Sequence, residues 1–206
     1  MNDKNNKDNI TIGLPKEGGA IYWAPLGTAL PTNAKDSLSG AFTNLGYVTT
    51  DGITMNTSEE TEDLEAWGKE VVMTTQTSYS KTGTFNLLES CRVAVLQFVY
   101  GKDNVKVAED GSIEWDETGD VLPRGVLVVD TLQNNGGETP RIHRQVLGDC
   151  QFVDRSGDQV YNNSDAVTYP VSIKAFKFTP DDGSKATYVK NYLTALEKPA
   201  DPVEPV

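Results

Sequence analysis

The stretch EVVMTTQTSYS, residues 70–80, alternates two sets of side chains along its whole length. One set contains Val71, Met73 and Tyr79, and the other set runs from Val72 to Ser78. Successive side chains of a β-strand point to opposite faces, so strict alternation of this length indicates a strand. The stretch therefore predicts that the fold is built from sheets.

Strand-like segments continue on both sides of this stretch. They are rich in β-branched and aromatic residues and are separated by turn residues, which is typical of sheet proteins. About half the chain reads as extended, which favours a β-sandwich or an open barrel. The predicted strands are GAIYWA (19–24), GVLVVDTLQ (125–133) and RIHRQVLGDCQFVDR (141–155, with a bulge or bend at Gly148). The predicted hairpins are NLGYVTTDGITMN (44–56, turning at Asp51-Gly52), VKVAE with SIEW (turning at Asp110-Gly111) and 169–180 with 185–195 (turning at DDGS).

One segment has the period of a helix. In FNLLESCRVAVLQFVYG, about 86–100, Leu88, Cys91, Val95 and Phe98 fall on one stripe, and Gly101 is suited to end the helix. The stripe predicts a helix that flanks one sheet. A second, short helix is expected after Thr32 or Asn33, which are N-cap residue types.

The segment YWAPLGTALPTN, residues 22–33, is apolar but fits no regular element. Pro25 and Pro31 cannot donate to a sheet ladder and break helices, and Gly27 loosens the chain between them. Its composition leaves two alternatives open. The segment either folds over the core of its own chain or is offered to another one.

The net charge of −12 over 206 residues disfavours several partners. Affinity for nucleic acids and for anionic membranes comes largely from Lys and Arg, which are outnumbered here. The N-terminus has no apolar segment of the kind found in signal peptides, and VAVLQFVY is too short to span a bilayer. We therefore expect a protein made and used in a cytoplasm, or in a particle assembled there.

The sequence contains few of the residue patterns that are typical of catalytic or metal-binding sites. His143 is the single histidine, which excludes a paired-histidine site and favours a surface or interface role. Cys91 and Cys150 lack metal-ligand spacing and predict reduced, mostly buried thiols. The acidic stretch EDGSIEWDETGD (109–120) lacks a calcium-loop pattern and predicts a solvated hairpin. No cofactor, metal or catalytic residue is predicted.

The domain expected over 10–195 is flanked by two tails. Residues 1–9 are polar, and residues 196–206 are rich in proline and acids, so both are expected to be flexible arms.

The order and spacing of several short motifs resemble the siphophage major tail proteins, which are the tail tube subunits. The resemblance runs from about residue 10 to 195. It is carried by Ala24-Pro25, Gly27-Thr28, Leu30-Pro31-Thr32, Ala41-Phe42, LGYV (45–48), Asp51-Gly52, LEAWG (64–68), TGTFNLLES (82–90), VYG (99–101) and DAVTYPVSIKAF (165–176).

The resemblance implies a β-sandwich with a flanking helix, whose copies form hexameric rings with a continuous inner β-barrel. Stacked rings would surround a tape-measure protein and meet tail terminator and distal tail proteins at the ends. The tube would form in the bacterial cytoplasm and become a negatively charged conduit that does not bind the DNA it passes. Trp23 is expected to anchor in or at the rim of its own core. Subunit contacts are expected at Trp23, Pro25, Leu26, Leu30, Pro31, Phe42 and Trp67, and lumen-facing acids at Glu70 and Asp130.

A different class of function also fits the strand content and the scattered tryptophans. A monomeric β-sandwich could serve as a binding module that recognises a host surface or a carbohydrate. Assembly into rings or tubes separates the two hypotheses, and an enzyme ranks third.

Overall fold

The structure, a computed structural model, describes residues 5, 9–16, 18–134, 140–155 and 157–195. The expected arms over 1–9 and 196–206 lie almost wholly outside these residues. The strands are β1 (Ile12–Pro15), β2 (Ile21–Pro25), β3 (Thr43–Asn44), β4 (Val48–Glu65), β5 (Val71–Leu87), β6 (Val105–Val107), β7 (Ile113–Trp115), β8 (Gly125–Asn134), β9 (Arg141–Asp154), β10 (Tyr169–Ala175) and β11 (Lys190–Ala195), and the helices are α1 (Val93–Tyr100) and a 3₁₀ turn at Lys102–Asn104.

The sheet is organised around the long antiparallel pair β8 and β9. Nine strands share one sheet, with the order β3-β2-β8-β9-β10-β5-β4, while β1 joins the free half of β8 and β11 joins the free half of β9. A register shift next to Gly125 confirms the irregularity predicted at Gly148 as a bulge, since two residues of β9, Gly148 and Asp149, lie opposite the single residue Val126 of β8. The prediction of a mainly β fold with one flanking α-helix is confirmed, and the sheet is open within one protomer.

The larger core lies on one face of this sheet, beneath α1. Alternate residues of β8, Leu127 and Val129, point into it together with Leu147 of β9. From the helix, Val95 and Phe98 are among the residues that complete it. The half of the predicted apolar stripe that lies in the helix, Val95 and Phe98, therefore packs on the sheet.

The structure shortens the predicted helix. Asn86 and Leu87 belong to β5, where they pair with Pro170 and Tyr169 of β10. Regular helix begins only after Arg92, whose backbone is extended. Sheet pairing thus competes successfully with helical periodicity over the first turns of the predicted segment. Cys91, in the intervening turn, is exposed rather than buried, whereas Cys150 is buried as predicted.

The hairpin predicted at Asp51-Gly52 is wrong. Strand β4 continues through these residues, and the excess chain between Val48 and Ile53 is absorbed as an irregularity against β5. Gly52 supports this bend with a φ of +66°. The chain reverses instead at residues 66–70. Strands β4 and β5 therefore form one long hairpin.

The short helix predicted after Thr32 or Asn33 is also absent, and residues 32–36 form bends. The Oδ1 atom of Asn33 accepts hydrogen bonds from the backbone N–H groups of Lys35 and Asp36, each at 2.8 Å. This local turn satisfies the amides that would otherwise begin a helix.

The last predicted hairpin is confirmed only in its turn. Phe178 and Thr187 form an antiparallel bridge on either side of residues 180–184. The flanking strands do not pair with each other, because β10 lies against the C-terminal half of β9 and β11 lies against its N-terminal half. Strand β9 therefore carries two different neighbours along one edge.

Candidate assembly surfaces

The apolar segment 22–33 begins in β2 and continues over the face of its own sheet that lies opposite to α1. Ala24, Val126, Val128 and Val146 form a second buried cluster there. The partly buried side chains packed on that cluster are Tyr22, Leu30, Leu38, Phe42 and Tyr192. Pro31 is also partly buried, while Pro25 and Leu26 are exposed, with 52% of Leu26 accessible. Leu26 is thus the large apolar side chain of this segment that the protomer leaves exposed.

A buried ion pair holds the segment in place. Arg144 is the cross-strand neighbour of Asp130 and donates to both of its carboxylate oxygens at 2.7 Å. The Nη1 atom of Arg144 also donates to the backbone carbonyls of Asn33 and Asp36 at 2.9 Å each. Arg144 therefore joins the sheet to the loop that covers it.

This geometry corrects the role expected for Asp130. Its side chain is 1% exposed, and the Nζ atom of Lys16 lies 3.4 Å from the same carboxylate. Desolvated carboxylates are stable only when paired in this manner. The carboxylate of Asp130 is enclosed within the protomer and does not face a lumen. Glu70, the other acid expected there, lies in the exposed turn that joins β4 to β5.

Trp23 packs on the other face of the sheet, against the larger core, as expected. Its ring meets Phe98 edge-on with 4.9 Å between centroids. A Cβ atom at Gly125 would lie 2.3 Å from the Trp23 ring, so only glycine admits this approach. Trp23 and Pro25 line a mostly apolar pocket of about 340 Å³ with α1 and residues 122–124. Two residues expected at a subunit contact thus share one concave surface.

The hairpin of β4 and β5 extends well beyond the body. Strand β5 pairs with β10 only from Lys81 onward, and from Thr57 to the turn β4 contributes nine residues to the extension, a length of about 30 Å. We call residues 57–79 the arm, which is distinct from the terminal arms expected at residues 1–9 and 196–206. Its root is fastened by Tyr79, whose ring lies 4.6 Å from that of Tyr188.

The arm is exposed on both faces, although it carries several large apolar residues. Five acids lie on its β4 side, whereas residues 71–80 on its β5 side carry no charge. Trp67, at its tip, is fully exposed. An isolated two-stranded ribbon is marginally stable in water, so these side chains are suited to be covered by a partner. The exposed apolar residues are Leu64, Trp67, Val71, Val72 and Met73.

Further pairing capacity lies at the half-sheet β1-β8-β9-β11. Among the described residues, β1 pairs only with β8, and β11 pairs only with β9. All four residues of β1 are exposed, including Ile12 and Leu14. Strand edges that carry apolar side chains readily accept another strand. The half-sheet therefore presents an open edge on each side.

His143 belongs to a polar network on this half-sheet. Its ring nitrogens lie 3.1 Å from Gln133 Nε2 and 3.1 Å from Asn191 Oδ1, so one histidine links β8, β9 and β11. Gln145 also donates to Asn191 at 3.1 Å. The arrangement orders three strands and contains no nucleophile.

The perturbed ionisable groups of the described chain are explained by local structure. Burial raises the pKa of the Cys150 thiol and of the Tyr100 hydroxyl well above their ordinary values. Hydrogen bonds from Ser184, followed by Lys190, lower the pKa of Asp182 to about 2. Within the described ranges, no group of three or more His, Cys, Asp or Glu side chains could hold a metal ion. Nor does that part of the chain contain a helix long and apolar enough to cross a membrane.

Sequence reasoning missed the arm and the Arg144 pair. The signal for the pair lies in its register, because Asp130 and Arg144 each interrupt an apolar set on the same face of adjoining strands. The sequence signal for the arm is Gly68, a turn residue within 66–70, where the structure shows a positive φ.

Comparison with known families supports assembly over catalysis. A family model described as "Phage tail tube protein" matches residues 4–198, which is nearly the whole chain. No curated protein matches the chain significantly.

Proposed function

Because this chain belongs to the phage tail tube protein family, we propose that it is the repeating subunit of a long, non-contractile siphophage tail tube. A member of this family is a structural protein of the virion tail and assembles with copies of itself. The proposal extends that role to hexameric rings that stack into a conduit.

The half-sheet β1-β8-β9-β11 is the feature of the protomer that supports ring closure. Its four strands are antiparallel to their neighbours throughout, so β1 and β11 run in opposite directions. When β1 of one copy lies beside β11 of the next, the new pair is again antiparallel. Such a contact repeats head to tail and can close as a ring. Closure into a continuous inner barrel removes both open edges.

Contacts between rings call for a structure that reaches beyond one protomer. The arm spans about 30 Å and presents its apolar side chains to solvent. We assign it to a neighbouring copy in the same tube. Leu26 supplies another exposed apolar side chain for such contacts.

The charge of the chain suits a conduit for DNA. Each copy carries a net charge of −12, and ring formation multiplies that charge around one axis. A negative field repels phosphates and keeps the passing DNA from binding. In this proposal the rings stack around a tape-measure protein in the bacterial cytoplasm, and terminator and distal tail proteins close the ends.

Negative-stain electron microscopy of the purified full-length chain tests the proposal. We expect hollow rings or tubes with six-fold symmetry that lengthen with protein concentration. Light scattering on the same sample supplies the mass of each species. A chain that stays monomeric at high concentration would overturn the proposal and favour the monomeric binding module.

A further inference from the structure

Trp67 at the tip of the arm and the pocket beside Trp23 have complementary chemistry, and neither is occupied within one protomer. We propose that the Trp67 indole of one copy inserts into the Trp23 pocket of a second copy. This inference rests on the proposed function and names the contact that the arm makes.

The turn at the tip holds Trp67 outward. The Ala66 N–H donates to the Glu70 carbonyl at 2.8 Å, and the Lys69 N–H donates to the Ala66 carbonyl at 3.0 Å. Among the residues that the structure describes, Lys69 is the one residue other than glycine that has a positive φ, at 65°. Backbone of this kind is maintained only where the surrounding structure fixes it. The tip is therefore a closed turn that presents one large aromatic side chain to solvent.

The pocket offers preformed apolar walls. Phe98 is one of the lining residues, and its ring lies 4.9 Å from the Trp23 ring and 5.8 Å from the Phe152 ring, with edge-on contacts to both. Leu45, Ala94 and Leu122 are among the other lining residues. The walls come from β2, α1 and residues 122–124. Because Trp23 and Phe98 are already packed in the core, the pocket needs little rearrangement to receive an aromatic ring. Aromatic side chains prefer such edge-on surroundings.

The net charges around the two surfaces are opposite in sign, since Glu65 and Glu70 outnumber Lys69 at the tip. Lys102 and Arg124 belong to the pocket lining, which includes no carboxylate. Arg124 already pairs with Asp149 at 3.0 Å, so Lys102, which is exposed, is the cation best placed to meet a partner. Glu65 and Glu70 flank the tip turn that carries Trp67. This use of Glu70 places it at a contact between copies rather than in a lumen.

The occupant must come from a second copy. The arm leaves the body at Lys81, and Trp67 is fully exposed at its far end, so its own pocket does not hold it. A tip on one surface and a pocket on another make a heterologous contact, which adds copies in one direction. That is the contact required between successive rings of a tube.

A second groove competes for the tip. It lies at the root of the arm, has a volume of about 420 Å³, and is lined by Lys81 and Lys177 together with Tyr79 and Tyr188. Its lining is more polar than that of the Trp23 pocket, which makes it a poorer site for an indole. The experiment therefore has to identify the surface that the tip contacts, in addition to showing that assembly requires the tip.

Photo-cross-linking in assembled tubes locates it. A benzophenone amino acid replaces Trp67 in the full-length chain, tubes are irradiated, and cross-linked peptides are mapped by mass spectrometry. We expect attachment within residues 94–102 or 122–124 of another copy. Tubes whose cross-links map to Lys81, Lys177 or any other surface, or that give no cross-link, overturn the inference and leave the proposed function intact. Failure of the unmodified chain to assemble overturns both.

Substitutions decide the matter independently, including the case in which the benzophenone variant does not assemble. Trp67→Ala should raise the protein concentration needed for assembly at least about 30-fold, as expected for an aromatic hot spot. Trp67→Phe should raise it less, and Tyr161→Ala, which removes another exposed aromatic outside both surfaces, should leave it unchanged. Circular dichroism should show the same fold in all three variants. Equal assembly of Trp67→Ala and the unmodified chain overturns the inference.

Discussion

Arg144 and Asp130 are cross-strand neighbours that form a bidentate ion pair, with both N···O distances at 2.7 Å and both side chains 1% exposed. The remaining guanidinium nitrogen of Arg144 donates hydrogen bonds to two backbone carbonyls of the covering loop. Within this apolar segment the sheet ladder ends at Pro25, and the cation of Arg144 fixes the far end of the segment from beneath.

Arg144→Met should lower the free energy of unfolding by about 3–5 kcal/mol, because it leaves the buried carboxylate of Asp130 with only the partly exposed Lys16, at 3.4 Å, as partner. The double variant Asp130→Leu with Arg144→Met should recover part of this loss, since removal of both charges leaves no unpaired carboxylate. Urea denaturation followed by fluorescence measures each value. A double variant less stable than Arg144→Met would contradict this account.

Substitutions in the covering loop should separate folding from assembly. Leu26→Asp should change the free energy of unfolding by about 0.5 kcal/mol or less, because the side chain is largely exposed, yet it should prevent tube formation. Leu30→Asp should cost on the order of 2 kcal/mol, because Leu30 packs on the second buried cluster. Thermal unfolding and electron microscopy of the same preparations provide the two measurements. Normal tubes from Leu26→Asp would remove this residue from the contact surface.

Sequence patterns predict the centre of the fold better than its periphery. Strands β8 and β9 and the bulge at Gly148 follow from β-branched residues and one glycine, since burial on both faces leaves few alternatives. Asp51-Gly52 misleads because the same dipeptide serves a tight turn or a bulge, and the longer pairing of β4 with β5 decides between them. The assembly residues could be named only from resemblance, because one chain contains half of each contact.

Acid titration should reveal the turn that leads into β11. Asp182 accepts a hydrogen bond from the Ser184 N–H at 2.9 Å and pairs with Lys190 at 3.1 Å. These contacts lower its pKa to about 2, against about 3.9 in an unfolded chain. A depressed pKa stabilises the folded state above the unfolded value, and this contribution is lost as the pH falls from about 4 towards 2.

Carboxyl chemical shifts in a pH series measure this directly. The Asp182 resonance should titrate about two units below a free aspartate, and Lys190→Met should move its midpoint upward. The variant Asp182→Asn provides the assignment and should remove the transition. A midpoint near 3.9 in the unmodified protein would show that the turn does not form these hydrogen bonds in solution.

Removal of β1 should abolish ring closure while preserving the body. All four residues of β1 are exposed, and the strand pairs with β8 alone among the described residues, so deletion of residues 2–16 removes little buried apolar surface. The deletion also takes away Lys16, but Asp130 keeps the bidentate contact with Arg144. We expect a folded monomer by circular dichroism and light scattering. Because the strand that meets β11 of the next copy is missing, no hexameric ring should form at any protein concentration.

A matched variant, Ile12→Lys with Leu14→Lys, keeps the strand but charges its exposed side chains, and should weaken ring formation without unfolding the chain. If the truncated chain still builds tubes, the closing contact lies elsewhere, and the exposed outer edge of β4 becomes the candidate to test.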